Sequence, residues 1–450
     1  MSQGRSVSCG SARSLVISAA WWLVTLLLAG AGPVHATPSF ARQTGQPCAA
    51  CHTVPPELSP LGRRFMLGGF TMTGGEGGLP ISGYLETGAT RIARDSPDLG
   101  PHLRRNNNLL VQRAKLIGAG ALTDHAGAYA ELVYSPQVER LQLGQVDLRW
   151  SDSAAPMGHD LVYGVSLGNT PGFQDPWNSA PARSWPYARS TAAPSPKVVP
   201  LLEGPLARRV AGASVYGFLN DGWYAELGLY GGITRSTQDR LGLDADAQRR
   251  VLGTASYGRM AFEAKVPSGT LSLGGHALTA NLDRGAGPDN AVRDRVRSLG
   301  VDLLWQWSGG PDEVTVRSSF SREDWRTGRA LATDPAAPGM NRLDSLKASV
   351  TYLRTKDKAV TAGVFRRTGS SDSSFWHTAG GKPDTAGVML DAFAINPFFP
   401  PPSWHPGMRT RVGATLTHHP AFDGVGNHVD GGGLKARDHD TLFVYFLLAL

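Results

Sequence analysis

Cysteine is nearly absent, with 3 in 450 residues, too few for a disulfide scaffold. Charge is sparse as well, at 18% of positions, and the basic excess, formally +7, is scattered along the chain. No dense Lys/Arg tract, zinc-finger spacing or RNA-binding signature is present, which argues against nucleic acid as a partner. No Ser/His/Asp order, phosphate-cradling loop or paired-acid arrangement stands out. No carboxylate or histidine cluster has metal-ligand spacing, and His418-His419 lie near loops, where solvated side chains are the rule. The 55 glycines have no collagen period, and 41% hydrophobic residues make the chain too apolar for a disordered one.

Long apolar runs are also lacking, with one exception at about Leu15 to Gly32. It follows Arg5 and Arg13 and ends in Val34-His35-Ala36. Basic, then apolar, then small is the order of a Sec-type signal peptide, here residues 1–36. A retained anchor helix is the alternative, disfavoured by the short core and the cleavage pattern. Residues 37–450 then carry 42 basic and 37 acidic side chains, and Cys9 leaves with the signal.

The two remaining cysteines stand in Cys48-Ala49-Ala50-Cys51-His52. This spacing is the attachment signature of a c-type haem. The thiols add to the haem vinyl groups, and the adjacent histidine becomes the proximal iron ligand. A redox dithiol should follow a strand in a thioredoxin-like unit, and no such unit surrounds it. Export agrees with haem attachment, which occurs outside the cytoplasm. Ser59-Pro60 predicts a helix start and Gly68-Gly69 its stop. Between them Leu61 and Phe65, four apart, share a face that would cover a haem. Arg63 and Arg64 are candidates for the propionates, or else form a solvated face. Met66 is the candidate sixth ligand, with Met72, a histidine or water as alternatives. A module of this size, residues 37–79, is short enough to need the covalent staple.

Beyond about Leu79 there is no sustained helical period. Short segments of period two appear instead. Trp223, Ala225, Leu227 and Leu229 alternate with Tyr224, Glu226, Gly228 and Tyr230, and Leu299 to Trp307 alternate likewise with Asp302 and Gln306 on the other face. Connections run short, then long. Thr123 to His125, Asn220 to Gly222, Pro267 to Gly269, Ser308 to Asp312 and Thr355 to Lys358 are short; 95–107, 169–208, 234–254, 281–296, 323–344, 368–384 and 419–438 are long. Turns on one rim and loops on the other predict an all-β fold for residues 80–450, a transmembrane antiparallel β-barrel of about 16 strands. A soluble sandwich or propeller is the competing architecture. The expected lumen face carries Arg113, Lys115, Glu131, Asp147, Arg149, Glu226, Glu263, Lys265, Asp302, Arg317, Arg409 and Arg411, read as a ladder of cross-strand pairs.

Ala36-Thr37-Pro38-Ser39-Phe40-Ala41-Arg42-Gln43-Thr44-Gly45-Gln46-Pro47 before the haem motif, then Leu61-Gly62-Arg63-Arg64-Phe65 and Gly69-Phe70-Thr71, resemble the outer-membrane fused monohaem cytochrome–porins. Phe422-Asp423-Gly424, Asp430-Gly431 and Asp438-His439-Asp440-Thr441-Leu442-Phe443-Val444-Tyr445 resemble that family's last loop and strand. Leu61, Met66 and Phe70 stand where the family usually has Phe, Lys and Tyr. Some members are Fe(II) oxidases of iron-oxidising bacteria. The resemblance implies a protein in the outer-membrane lipid of a Gram-negative bacterium, with one covalent haem c held by Cys48, Cys51 and His52. That haem would take electrons from extracellular Fe(II) or another small donor and pass them to a periplasmic carrier such as a soluble cytochrome c, an iron:cytochrome c oxidoreductase activity. A solute-conducting porin with a haem plug or redox gate, and a soluble secreted cytochrome with a β-rich binding domain, are the rival readings.

Overall fold

The structure is a computed structural model that describes residues 38–450 except 76, 78–79, 95–105, 107, 136–138, 180–187, 244–249, 284–292, 329–338, 399–407 and 428–432. The expected signal peptide, residues 1–36, lies outside the described residues. Among the described residues no helix is long and apolar enough to cross a membrane, which says nothing of strands.

Period-two alternation becomes strand almost throughout. The described strands are β1 (Ile81–Ile92), β2 (Leu109–Ala121), β3 (Ala126–Ser135), β4 (Arg140–Ala154), β5 (Leu161–Gly168), β6 (Val210–Leu219), β7 (Trp223–Gly232), β8 (Arg250–Val251), β9 (Thr254–Val266), β10 (Gly269–Asp283), β11 (Asp294–Gly309), β12 (Asp312–Thr327), β13 (Met340–Arg354), β14 (Lys358–Gly369), β15 (Thr385–Ile395), β16 (Arg409–Ala421) and β17 (Thr441–Ala449). β8 is a two-residue flap on the end of β10, pairing Val251 with Leu282. The other sixteen form one antiparallel sheet in chain order. β17 pairs with β16 on one side and with β1 on the other, from Tyr84 opposite Ala449 to Ile92 opposite Thr441. The sheet is therefore a closed barrel with no edge strand, and the sandwich and propeller expectations fall.

The two faces are inverted relative to a soluble sheet. On β7, Trp223, Leu227 and Leu229 are 57%, 70% and 60% exposed, while Tyr224, Glu226 and Tyr230 are each 2% exposed. Leu299, Val301, Leu416 and Val444 are likewise exposed and Asp302, Gln306, Thr415 and Tyr445 buried. Apolar side chains pointing outward from a closed, fully paired sheet match the requirement of a hydrocarbon solvent.

The rims differ as expected. Tight turns such as 122–125, 220–222, 267–268, 310–311 and 355–357 join strands at one rim. Asn220 and Asp221 both take positive φ, 52° and 53°, and Gly222 N donates to the Leu219 carbonyl (3.0 Å), closing a tight turn whose twist matches the strands. β15 and β16 also follow one another at this rim, with thirteen residues between Ile395 and Arg409. The other rim bears the long connections, of which 169–209 is the longest.

The lumen departs from a simple ladder of cross-strand pairs. Lys115–Glu131 (2.8 Å), Arg113–Glu86 (2.7 Å) and Arg411–Asp391 (2.9 Å) are such pairs. Glu263 and Arg317 instead bind the N-terminal segment, Arg149 and Glu226 reach residues of the long loop, and Lys265 is exposed near the turn rim. A lumen filled by two inserted segments gives wall charges other partners than their neighbours.

Candidate functional site

The chain before β1 folds as three short helices, α1 (Pro38–Thr44), α2 (Cys48–Cys51) and α3 (Pro60–Leu67). α3 has the predicted ends. Ser59 Oγ accepts from Gly62 N (3.3 Å) and donates to Ala50 O (2.6 Å), and Pro60 occupies the first turn. Gly68 closes the helix, and Gly69 follows with φ of +70°. A Cβ on Gly62 would lie 2.1 Å from the Cys51 carbonyl oxygen, so the main chain of α3 approaches that of Cys51 as closely as only glycine permits.

Cys48 and Cys51 sit one helical turn apart, on one face of α2. Neither is in a disulfide. Burial, and then Cys48, pushes the Cys51 thiol up, the opposite of the low-pKa thiolate that a redox dithiol needs. His52 Nδ1 lies 3.2 Å from the Glu57 carbonyl oxygen. A carbonyl only accepts, so Nδ1 carries the proton and the neutral ring has its lone pair on Nε2. That is the arrangement in which metal-bound histidines are usually held. Phe65, Met66 and Phe70 form an apolar cluster, with Phe40, Leu58, Met72 and Tyr129 against it. Two thiols on one face, an oriented imidazole and an apolar cluster beside them fit a c-type haem.

The other predicted residues fare differently. Met66 is buried, and Met72 packs on the same cluster, so the two candidate sixth ligands share one environment. Phe65 is 7% exposed within the apolar cluster, and Leu61, one turn earlier on α3, is 38% exposed. Arg63 and Arg64 are engaged by the barrel. Arg63 is buried and bonds Glu263 (2.7 Å), Gln306 Oε1 (2.8 Å) and the Leu58 carbonyl (2.6 Å). Arg64 spans Asp160 (2.8 Å), just before β5, and Asp221 (2.5 Å), in the 220–222 turn. The hydrogen bond to Asp160 leads, with Asp221 adding, in pushing this guanidinium up despite partial burial. The α-helical module is thereby seated in the turn-side mouth of the barrel.

Sequence reading missed the residues that make this seat. Gln43 Nε2 donates to the Phe70 and Met72 carbonyls (2.6 and 2.8 Å), and its Oε1 accepts from Ala121 N (2.8 Å). Glu57 meets Arg317 on β12 at 2.8 Å. Tyr216 on β6 donates to the Leu67 carbonyl (2.6 Å). No local motif signals such pairs, because the partners are far apart in sequence.

From the opposite rim, the described residues of 169–209 also enter the lumen. Trp177 Nε1 donates to Glu263 (2.7 Å), Arg259 bonds Asp175 (3.0 Å) and Asp302 (2.7 Å), and Ser179 donates to Asp302 (2.6 Å). Leu201, Leu202 and Leu206 pack with Tyr257, Leu278, Leu282, Trp325 and Trp376. The length of this connection and its run Val198 to Leu206 were the available signal. Arg149 joins the two insertions: its guanidinium donates to the Met66 carbonyl, the Gln174 carbonyl (3.0 Å each) and Asp147 (2.9 Å).

No family model matches the chain, and no curated protein matches it. Solved structures do. A loop-deletion form of OmpT, an outer membrane protein of Vibrio cholerae, is 10% identical over 82% of this chain and 98% of that one, with a TM-score of 0.45. A porin structure refined at 1.8 Å is 13% identical over 82% and 99%, with a TM-score of 0.42. A mutant of the Rh. blastica porin is 11% identical over 82% and 99%, with a TM-score of 0.40.

Proposed function

We propose that this chain is an outer-membrane electron-transfer protein. In this reading one covalent haem c, carried by Cys48, Cys51 and His52, accepts single electrons from a donor outside the cell, Fe(II) by resemblance, for a periplasmic carrier such as a soluble cytochrome c. The observation that carries the reading is the haem-attachment pentapeptide inside the mouth of a barrel, with His52 held through Nδ1. Short turns conventionally face the periplasm, which gives the module access to a periplasmic carrier. The outward Leu and Val face supports a seat in lipid.

When bound, haem supplies the one-electron step, at a potential tuned by axial ligand and burial. The residues do the rest. Cys48 and Cys51 would carry the thioethers and His52 would offer Nε2 to the iron. The Glu57 carbonyl holds the imidazole proton, and Phe65, Met66 and Phe70 keep water away. Oxidising iron outside the cell leaves the insoluble Fe(III) outside.

A solute porin is the weaker reading, because the module and the described residues of 169–209 both reach into the lumen. Purified protein should stain for covalent haem, show a c-type spectrum that Fe(II) reduces, and give little solute flux in liposomes. Absence of covalent haem, or a haem that Fe(II) leaves oxidised beside rapid flux, would overturn the reading.

A further inference from the structure

The segment that carries His52 is clamped to the barrel wall, and this rests on the haem reading above. His52 and Leu58 face each other across a short antiparallel bridge, so residues 52–58 form a small hairpin. Its inner carbonyl, Glu57 O, accepts both His52 Nδ1 and Thr53 N (3.2 Å each). The Glu57 side chain bonds Arg317 of β12 at 2.8 Å, and both partners are buried. Gln306 of β11 donates to Thr53 Oγ1 (3.2 Å) and to the Leu58 carbonyl (3.1 Å). Arg63 bonds that same Leu58 carbonyl and Gln306 Oε1, and reaches Glu263 of β9. Three of the hairpin's residues are therefore tied to neighbouring strands, one of them the residue whose carbonyl orients the imidazole.

We infer that Arg317 is a positioning residue for the haem: the barrel wall, acting through Glu57, sets the hydrogen bond on His52 Nδ1 and with it the potential of the iron. The chemistry is that of a metal ligand held by its second nitrogen. A hydrogen bond from Nδ1 makes the imidazole a stronger donor through Nε2, which favours the oxidised metal. Moving the Glu57 carbonyl away weakens that donor and favours the reduced metal, so the potential rises. An arginine of the wall, paired with Glu57, would thus tune the redox centre through the hairpin, and a haem module outside its barrel would have a different potential.

The test is the midpoint potential of the detergent-purified holoprotein, measured by spectroelectrochemistry. The variants are Arg317→Gln, Arg317→Lys and Glu57→Gln, with Arg367→Gln as a lumen ion-pair control whose partner, Glu203, belongs to the loop-side insertion. Arg317→Gln and Glu57→Gln should raise the potential with covalent haem retained, Arg317→Lys should recover part of the shift, and Arg367→Gln should leave the potential at the wild-type value. An unchanged potential in Arg317→Gln, in protein that stains for haem and migrates as a folded barrel, would overturn the inference. If Arg317→Gln does not assemble, Glu57→Gln, which keeps the carbonyl and the side-chain shape, decides by the same criterion. A wild-type protein without covalent haem would instead refute the functional reading beneath it.

Discussion

Gly62 illustrates how one absent atom holds the candidate site together. With the Cys51 carbonyl where its Cβ would be, Gly62→Ala must lever α3 off the Cys48–Cys51 turn. The expected result is less covalent haem on a stained gel, with barrel migration unchanged. Cys48→Ala/Cys51→Ala removes both thioether sulfurs and should abolish the staining; an undiminished stain would end the haem reading. Arg63→Met strands the Glu263 carboxylate in the lumen at a cost of about 3–5 kcal/mol. That loss should appear as faster proteolysis of residues 38–80 in an otherwise intact barrel. Met66 and Met72 belong to one apolar cluster, so Met66→Ala and Met72→Ala form a matched pair. The true ligand's variant should lower the potential and loosen the spin state, and silence from both would leave a histidine or water as sixth ligand.

Elements inherit their ends from such residues. Ser59 caps α3 through Gly62 N and also bonds Ala50, so Ser59→Ala should cost about 1 kcal/mol or somewhat more and loosen α2 together with α3. The long loop has its own anchor in Glu203, which bonds Lys347 (2.7 Å), Arg367 (2.8 Å) and Ser345 (3.2 Å). Burial opposes ionisation of Glu203, but Lys347 and then Arg367 outweigh it and hold the carboxyl below the usual carboxylate range. A depressed folded pKa contributes stability that is complete above the unfolded value, about 4.3, and is lost as pH falls through the folded one. Hydrogen exchange in 198–206 should therefore stay slow at neutral pH and accelerate only below about pH 4; acceleration already near neutrality would show that Glu203 is not the anchor. Strand positions were legible from alternation because each strand has one apolar and one polar face. The insertion of 169–209 was not, since a long connection reads alike whether it covers a rim or enters the lumen.

At the scale of the molecule, closure of β17 on β1 pairs the sheet completely. The protein should fractionate with the outer membrane and migrate faster on gels before heating than after, because a closed barrel resists detergent. Recovery in the washed soluble periplasm would exclude that seat. The two insertions meet at Arg149, which bonds main-chain carbonyls of both. Arg149→Ala should consequently raise solute flux in liposomes, while an outward-facing change such as Leu229→Ala should not.

What the sequence by itself determined is local. Cys48, Cys51 and His52 lie within five residues, the α3 caps within ten, and strand alternation repeats every two, so each is written where it acts. The roughly 16-stranded barrel followed from repeating that alternation between short and long connections. The tertiary structure alone decided where the module sits and what holds it. Arg63 with Glu263, Glu57 with Arg317 and Ser179 with Asp302 are pairs between residues more than a hundred positions apart. They exist because a closed sheet brings distant strands around one lumen, where a buried charge must find an opposite charge or a hydrogen-bond partner. Read singly, Arg63 and Arg64 had no visible partner on the barrel; in the fold the buried Arg63 reaches Glu263 and the partly exposed Arg64 reaches Asp160 and Asp221, and both attach the module to the barrel.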